Sequence, residues 1–202
     1  MLSRQTTLIT DAQAEVAFLA VRLVALAETL GMLPRSTRGG VDNAEIASAL
    51  DAFARAGVGR RGAALGRQVT ADGLAEALRD VLTAIEESPM PEHEWGPLAE
   101  LLGDDLLAKL VGVSVSSVHR YRNRERLTPD EVAARLHAVA LITADLAGSY
   151  NELGIRRWFH RTRSALGGVA PAEVLSGAWD PDEERVRSVR ALAGALLGSP
   201  AT

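Results

Sequence analysis

The sequence has no cysteine, a single lysine, few aromatic residues and no long uncharged hydrophobic run. Without cysteine, the chain has no disulfide scaffold, no thiol nucleophile and no cysteine-based zinc site. A membrane-spanning helix needs about 18 or more apolar residues in a row, whereas the most apolar early run, residues 16–30, contains Arg22 and Glu28. That run also lacks the basic leader of a secretory signal. We therefore expect a cytoplasmic protein that makes no membrane contact.

Patterns that carry catalysis or bind metals are also scarce. The four histidines are scattered, and none forms the H-x-x-x-H pair that suits zinc. The nucleophile motif G-x-S-x-G and a phosphate-binding P-loop with its lysine are absent. The acidic pairs at positions 86–87 and 104–105 are adjacent in sequence, so their side chains diverge on a helix and are typical of caps or solvated faces. We expect no enzymatic activity, no metal and no cofactor.

The chain is dominated by alanine, leucine, glutamate and arginine, which favour helix almost throughout. The sequence therefore predicts an all-α fold. Apolar residues that recur at three- and four-residue steps predict helices over 11–30, 42–56, 71–87, 130–148, 151–163, 171–175 and 181–197. The glycine-rich residues 57–66 predict either a loop or a weak helical turn. Thr128, with Glu131 three residues later, has the pattern of a capping box before the helix over 130–148.

The run Ser88-Pro89-Met90-Pro91 is the clearest interruption in the helical pattern, because two prolines so close cannot lie inside a helix. It predicts a domain boundary after residue 88. We expect an N-terminal helical domain over 1–88, a helix-turn-helix domain over 89–148 and a C-terminal helical domain over 149–202. The sequence gives no indication of what the first of these does.

The segment DDLLAKLVGVSVSSVHRYRN, residues 104–123, has the pattern of a helix-turn-helix. Its leucines are expected to be buried on a short first helix. Gly112 then stands where the chain has to turn sharply, which requires a residue that tolerates positive φ. Ser114 is a suitable N-cap for the second helix, because its hydroxyl can accept a hydrogen bond from the amide of Ser116 or Ser117.

The helix predicted after Ser114 has an inner and an outer side. Val118 and Tyr121 are three residues apart and face inward. The outer side begins with small polar residues, so it can enter a major groove about 12 Å wide. Arg120 can donate two hydrogen bonds to guanine, and His119 can bond a base or a phosphate, while further arginines suit phosphates. The candidate DNA-binding residues are Ser114, Val115, Ser116, Ser117, His119, Arg120, Arg122, Asn123 and Arg124.

The net charge of −4 means that any contact with nucleic acid depends on a local basic cluster rather than on the field of the whole molecule. The alternative interpretation of residues 104–123 is an ordinary helical hairpin whose arginine face is only solvated. A second basic cluster fits DNA phosphates and an acidic partner equally well. Its members are Arg156, Arg157, Arg161 and Arg163.

The run from Ala108 to Asn123 resembles the helix-turn-helix of Xre-type (Cro/repressor-like) regulators. In that family a motif close to A-x-x-x-G-V-S-x-x-x-V-x-R-aromatic is usual, and the chain matches every marked position. The resemblance implies a repressor that binds double-stranded DNA. Because the family typically binds as a dimer, it also implies a homodimer.

The pattern W-F-x(6)-L-G-G-x-x-P-x-E-x-L, from Trp158 to Leu175, resembles the toxin-binding domain of Xre–MbcA–ParS antitoxins. In that family the helix-turn-helix directly precedes this domain, so the two resemblances together span residues 96–200. The chain departs from the family in two ways. Thr162 and Arg163 stand where a Pro-Asn pair is common, and the N-terminal segment exceeds that of the short antitoxins.

This second resemblance implies an antitoxin that neutralises a RES-domain toxin, an enzyme that depletes NAD, and represses their shared operon. It implies that the C-terminal domain binds the partner through the segment 187–202, with Arg187, Arg190, Leu196 and Leu197 as contact residues. One alternative is a stand-alone transcription regulator or nucleoid-associated protein without a toxin. Another is an adaptor whose helix-turn-helix only packs.

Overall fold

The computed structural model describes residues 11–35, 40–65 and 71–196, and over these residues the protein is all-α, as predicted. A lone bridge between Arg163 and Val169 is the only β pairing within these ranges. The described residues form, in order, α1 (Asp11–Thr29), α2 (Asn43–Arg55), α3 (Arg60–Leu65), α4 (Ala71–Glu86), α5 (Pro91–Leu102), α6 (Asp104–Val111), α7 (Val115–Arg122), α8 (Asp130–Ala147), α9 (Glu152–His160), a 3₁₀ turn (Ser164–Leu166), α10 (Pro171–Val174) and α11 (Glu184–Gly194).

The long periodic segments were the easiest to predict, and α1, α2, α4 and α8 begin and end within a residue of the predicted bounds. The helices predicted over 151–163 and 181–197 are shorter in the structure, and α3 lies within the glycine-rich residues 57–66. Helix α5 was not predicted. Pro91 is its first residue, where the missing N–H has no intrahelical partner to lose, and Pro97 lies inside it.

Capping shows where local sequence patterns succeed and fail. At α2, the Asp42 carboxylate accepts from the Glu45 amide at 2.9 Å and the Glu45 carboxylate accepts from the Asp42 amide at 2.9 Å, a complete capping box. The capping box predicted at Thr128 is wrong. Helix α8 begins at Asp130 without a side-chain cap, because its N-cap residue is Pro129, which has no polar side chain. The Thr128 hydroxyl accepts from the Trp95 indole Nε1 at 3.0 Å.

Helix α8 is the centre of the molecule and is buried on nearly all sides. Helices α1, α5, α6, α9 and α11 pack around it. One hydrophobic cluster extends from Leu19 in α1 to Ala193 in α11. The predicted boundaries after residues 88 and 148 fall between helices, but the core crosses both, since α1 and α11 both pack on α8. No described helix has the length and apolarity needed to cross a membrane.

Candidate nucleic-acid interface

The turn between α6 and α7 consists of three residues and depends on its glycine. Gly112 has φ 72° and ψ 40°, so the predicted positive φ is confirmed. A second constraint was not predicted. A Cβ atom at position 112 would overlap the carbonyl oxygen of Gly177, which lies in the loop between α10 and α11. Glycine is therefore needed both for the backbone conformation and for the close approach of a distant segment.

The C-terminal end of α6 is anchored by two buried side chains from elsewhere in the chain. The Trp179 indole Nε1 donates to the carbonyl of Leu110 at 2.8 Å and to that of Leu175 at 3.0 Å. The Arg135 Nε of α8 donates to the Val111 carbonyl at 2.8 Å. The last carbonyls of a helix have no intrahelical partner, so these bonds hold the turn firmly. Sequence reasoning overlooked both anchors because they come from distant positions.

The start of α7 matches its prediction. Ser114 is the N-cap, and its hydroxyl accepts from the Ser117 amide at 3.2 Å. The same oxygen lies 3.0 Å from the Ser116 hydroxyl and 2.9 Å from the Ser117 hydroxyl. Val115 is half-buried and packs against the core. The first turn of α7 therefore exposes mainly hydroxyl groups.

The inner side of α7 is fixed by packing, as predicted. Val118 is 0% exposed and Tyr121 is 6% exposed. The Tyr121 ring stacks on the Trp95 ring of α5, with 5.2 Å between centroids and 20° between planes. Trp95 is itself held by its bond to Thr128. The contacts on the buried side of α7 therefore fix the orientation of the helix.

The outer side of α7 is exposed at Ser116, His119, Arg120 and Asn123. Arg120 lies along its own helix, donating from Nε to the Ser116 carbonyl at 3.2 Å and from Nη2 to the Ser116 hydroxyl at 3.3 Å. The Asn123 amide donates to Glu125 at 3.1 Å. Both partners are local and exposed, so these bonds cost little to exchange. The two side chains are available to a ligand.

Asp104, the first residue of α6, contacts two of the predicted DNA-binding residues. One carboxylate oxygen lies 2.7 Å from His119 Nε2, and the other accepts from Arg122 Nη1 at 3.3 Å. Sequence reasoning treated the acidic pair 104–105 as a cap or solvated face. The structure instead pairs Asp104 with both basic residues, so its carboxylate would compete with any external anion for them.

Arg124, two residues after the end of α7, has an unusual backbone conformation. Its φ of 59° makes it the only described non-glycine residue with positive φ. The Arg124 amide donates to the Tyr121 carbonyl at 3.1 Å and the Glu125 amide to the Arg120 carbonyl at 2.9 Å, which is a Schellman motif with arginine at the position that glycine usually occupies. This conformation costs a non-glycine residue about 1–2 kcal/mol.

Other arginines near the interface have structural partners. The Arg126 guanidinium lies 5.8 Å from the centroid of the Tyr121 ring. In the second basic cluster, Arg156 Nε donates to the Leu101 carbonyl at 2.6 Å at the end of α5, and the Arg163 guanidinium lies 5.2 Å from the Trp158 ring. These contacts reduce what that cluster can offer to a phosphate or an acidic partner.

The residues implied as toxin contacts are not equivalent in the structure. Arg187 is exposed on α11, whereas Arg190 Nη2 lies 2.9 Å from the Glu86 carboxylate of α4. Leu196 is half-buried against the core, and its carbonyl accepts from the Ser149 hydroxyl at 3.0 Å. Leu197 lies outside the described residues. The four residues therefore do not form one exposed face over the part that the structure describes.

Arg190 belongs to an ionic cluster that joins four helices. Arg22 of α1 donates to Glu86 at 2.7 Å and to Asp145 of α8 at 3.3 Å. Burial raises the pKa of Asp145 above its ordinary value, while Arg22 and Arg190 oppose that rise. The cluster links the first, central and last predicted segments of the chain.

The three glycines 57, 59 and 62 have the G-x-G-x-x-G spacing of a dinucleotide-binding loop. That loop must follow a strand, but here it follows α2. A Cβ at Gly62 would meet the Val81 side chain and the Ala77 carbonyl, so this glycine allows α3 to approach α4. The spacing therefore reflects helix packing.

The described residues contain no group of three or more histidine, aspartate or glutamate side chains that could hold a metal ion. No protein-family model, curated protein or solved structure matches the chain.

Proposed function

We propose that the protein is a transcription regulator that binds a specific DNA sequence by inserting α7 into the major groove. The observation that carries the proposal is the division of α7 into two sides. Val118 and Tyr121 are buried and hold the helix, while Ser116, Arg120 and Asn123 are exposed on it. The outward placement of these residues is what a recognition helix requires.

The exposed groups fit base and phosphate chemistry in different ways. Ser116 is small enough to let the helix approach the groove floor. Arg120 can exchange its bonds to Ser116 for two hydrogen bonds to guanine O6 and N7. His119, Arg122 and Arg124 lie where they can contact phosphates, which orient the protein on the duplex. Asp104 competes with phosphate for His119 and Arg122, because it already contacts one nitrogen of each.

Charge supports a local interface. The segment 114–126 contains four arginines and one glutamate, although the whole chain carries a net charge of −4. A duplex is therefore attracted to this segment and repelled by much of the remaining surface, which orients binding. The affinity should fall steeply as salt concentration rises.

The test is selection of a preferred duplex from a random library, followed by titration of wild-type protein and Arg120→Ala. We expect the substitution to weaken binding to the selected duplex by about 1–3 kcal/mol and to weaken binding to unrelated DNA much less. Arg185→Ala is the matched control, because Arg185 is an exposed arginine on α11, far in sequence from α7. If no sequence is enriched, or if Arg120→Ala binds the selected duplex as well as wild type, α7 only packs and the proposal fails.

Partnership with a RES-domain toxin stays a prediction that rests on the resemblance of residues 158–175, and the homodimer likewise stays a prediction. Arg187 is the implied toxin contact to test first, because its exposed side chain has no ion pair or hydrogen bond with another described residue. Coexpression with the product of the neighbouring gene should yield a complex that Arg187→Ala weakens. A neighbour that is not a RES-type protein, with no complex recovered, contradicts the antitoxin prediction and leaves the DNA-binding proposal intact.

A further inference from the structure

Helix α1 is apolar on its outer side as well as on its inner side. Arg22 is the only charged residue between positions 16 and 27, and the inner side packs on α2, α4 and α8. A helix that is apolar all round is normally buried on all sides. The outer side of α1 is nevertheless exposed at four apolar positions with helical spacing, which we call the α1 stripe: Ala14, Ala17, Phe18 and Val21.

The α1 stripe is left uncovered by the rest of the described chain. Phe18 is 43% exposed and Val21 is 37% exposed. Phe18 lines a cavity of about 430 Å³ together with Ala191 and Gly194 of α11, so α11 leaves the ring open to solvent. A contiguous exposed apolar patch with a polar rim is typical of an interaction site. The stripe therefore has the character of a surface that binds another molecule.

Charged residues that border the α1 stripe are already paired within the chain. Glu15 accepts from Arg79 of α4 at 2.9 Å. Arg22 donates to Glu86 at 2.7 Å and to Asp145 at 3.3 Å. A nucleic acid or an anionic membrane binds through clusters of free cations, whereas the basic residue of α1 at this border is bound to carboxylates. The partner that fits the stripe is therefore an apolar protein surface.

We propose that the α1 stripe binds the α1 stripe of a second copy of the chain, with the two helices antiparallel about a two-fold axis between residues 17 and 18. In this arrangement Ala14 faces Val21 of the second copy, and Ala17 faces its Phe18. Each small side chain then meets a large one, which allows close packing. In a parallel pair each residue would face its own copy, so the two Phe18 rings would meet and the alanines would leave gaps.

The α1 stripe lies outside residues 96–200, which carry the family resemblances, and no residue of α7 takes part. The inference therefore stands apart from the proposed DNA binding. The stripe is short, because residues 14 and 21 are about 10 Å apart along the helix. Interfaces below about 1,200 Å² in total are typical of weak association. We therefore expect a dimer with a Kd of about 10–100 µM.

The first experiment is sedimentation equilibrium of the full chain without DNA. We expect a reversible dimer, and Phe18→Glu should weaken it at least about tenfold, because two-fold symmetry places the new carboxylate in the interface twice. Leu153→Glu is the matched control, because Leu153 is an apolar residue of α9 that is 55% exposed, and it should leave the association unchanged. The proposal is overturned if the wild type is monomeric at about 0.5 mM, or if Phe18→Glu associates as strongly as wild type.

The second experiment tests the orientation of the helices and leaves Phe18 in place. The chain has no cysteine, so Ala14→Cys and Val21→Cys each introduce a single thiol. In the antiparallel pair position 14 faces position 21 of the second copy, whereas the two copies of position 14 are about 10 Å apart along the helices, beyond the reach of a disulfide.

Mild oxidation should therefore cross-link a mixture of Ala14→Cys and Val21→Cys, and it should cross-link neither variant alone. Leu153→Cys is the control and should give no covalent dimer, alone or mixed with Ala14→Cys. A covalent dimer of Ala14→Cys alone or of Val21→Cys alone, or the lack of one in their mixture, overturns the antiparallel arrangement.

Discussion

Helices α7 and α11 look alike in sequence, since each is a short helix that carries exposed arginines, but they differ in the structure. Arg120 of α7 bonds only to Ser116 of its own helix. Arg190 of α11 reaches across to Glu86 of α4. The comparison shows that an arginine-bearing face acquires its role from what lies opposite, which helical periodicity does not encode.

The two arginines also differ in what it takes to free them. The Arg120 bonds are exposed, so water or a base can replace Ser116 at little cost. Arg190 shares Glu86 with Arg22, which in turn contacts the buried Asp145. Removing a member of that cluster leaves a partly buried charge with fewer partners. Arg120 can therefore exchange its bonds at little cost, whereas Arg190 supports the fold.

The largest expected loss of stability comes from disturbing the contact between the turn before α7 and the loop before α11. Gly112→Ala forces an L-residue into positive φ and places a Cβ against the Gly177 carbonyl, so we expect a loss of about 2–4 kcal/mol in the free energy of unfolding. Gly167→Ala is the control, because Gly167 has φ 70° but open space around it, and it should lose only about 1–2 kcal/mol. Urea denaturation measures both. Equal losses would show that the contact with Gly177 contributes nothing.

Measuring both stability and DNA affinity on an Arg190 variant and an Arg120 variant tests the difference between the two helices. Arg190→Ala should lower the free energy of unfolding by about 1 kcal/mol and leave the affinity for the selected duplex unchanged. Arg120→Ala should weaken binding to the selected duplex and leave the free energy of unfolding nearly unchanged, because the Arg120 bonds are local and exposed. Denaturation and DNA titration of both variants decide the matter. A loss of DNA affinity in Arg190→Ala would place α11 within the nucleic-acid interface.

Relieving the backbone strain at Arg124, just after α7, should increase stability rather than reduce it. Arg124→Gly should raise the free energy of unfolding by about 1 kcal/mol, because glycine adopts positive φ without the Cβ penalty. If Arg124 contacts a phosphate, the same substitution should lower the salt slope of DNA binding by about one unit. Arg122→Gly, at the last residue of α7, should instead destabilise by up to about 1 kcal/mol, because glycine is a poor helix former. If both substitutions lower the free energy of unfolding, the claim that the backbone at Arg124 is strained is wrong.

The smallest effect concerns Asp104. Asp104→Asn should release His119 and Arg122 and remove a negative charge that faces the duplex, so DNA affinity at low salt should rise by about 1 kcal/mol. Stability should fall by less than about 1 kcal/mol, as for other exposed pairs. Asp105→Asn serves as the control, because Asp105 is exposed and makes neither contact. An unchanged affinity in Asp104→Asn would mean that the two basic residues do not touch DNA.

What the sequence predicted well depends on neighbours along the chain. The Ser114 cap, the positive φ of Gly112 and the burial of Val118 and Tyr121 all follow from local spacing, and each is confirmed. The all-α fold follows for the same reason, because helix propensity and period are local properties. Helix α5 was missed although it is local, because its prolines at 91 and 97 obscured the pattern.

The features that the sequence did not predict depend on distant neighbours. Thr128 serves Trp95 rather than α8, and Arg190 is paired with Glu86, more than a hundred residues earlier. Asp104 meets His119 and Arg122 because α6 and α7 fold back on each other. No propensity or periodicity specifies these pairs, since each is created by the packing of separate helices.

The contact between Gly112 and Gly177 places the turn before α7 directly against the loop that contains Gly177. No side chain stands between the two backbones, and the Trp179 indole, two residues beyond Gly177, is bonded to the last turn of α6. A displacement of the 177 loop must therefore either push the α6–α7 turn along with it or break that indole bond. A molecule that binds the C-terminal segment and displaces this loop would therefore also change the tilt of α7.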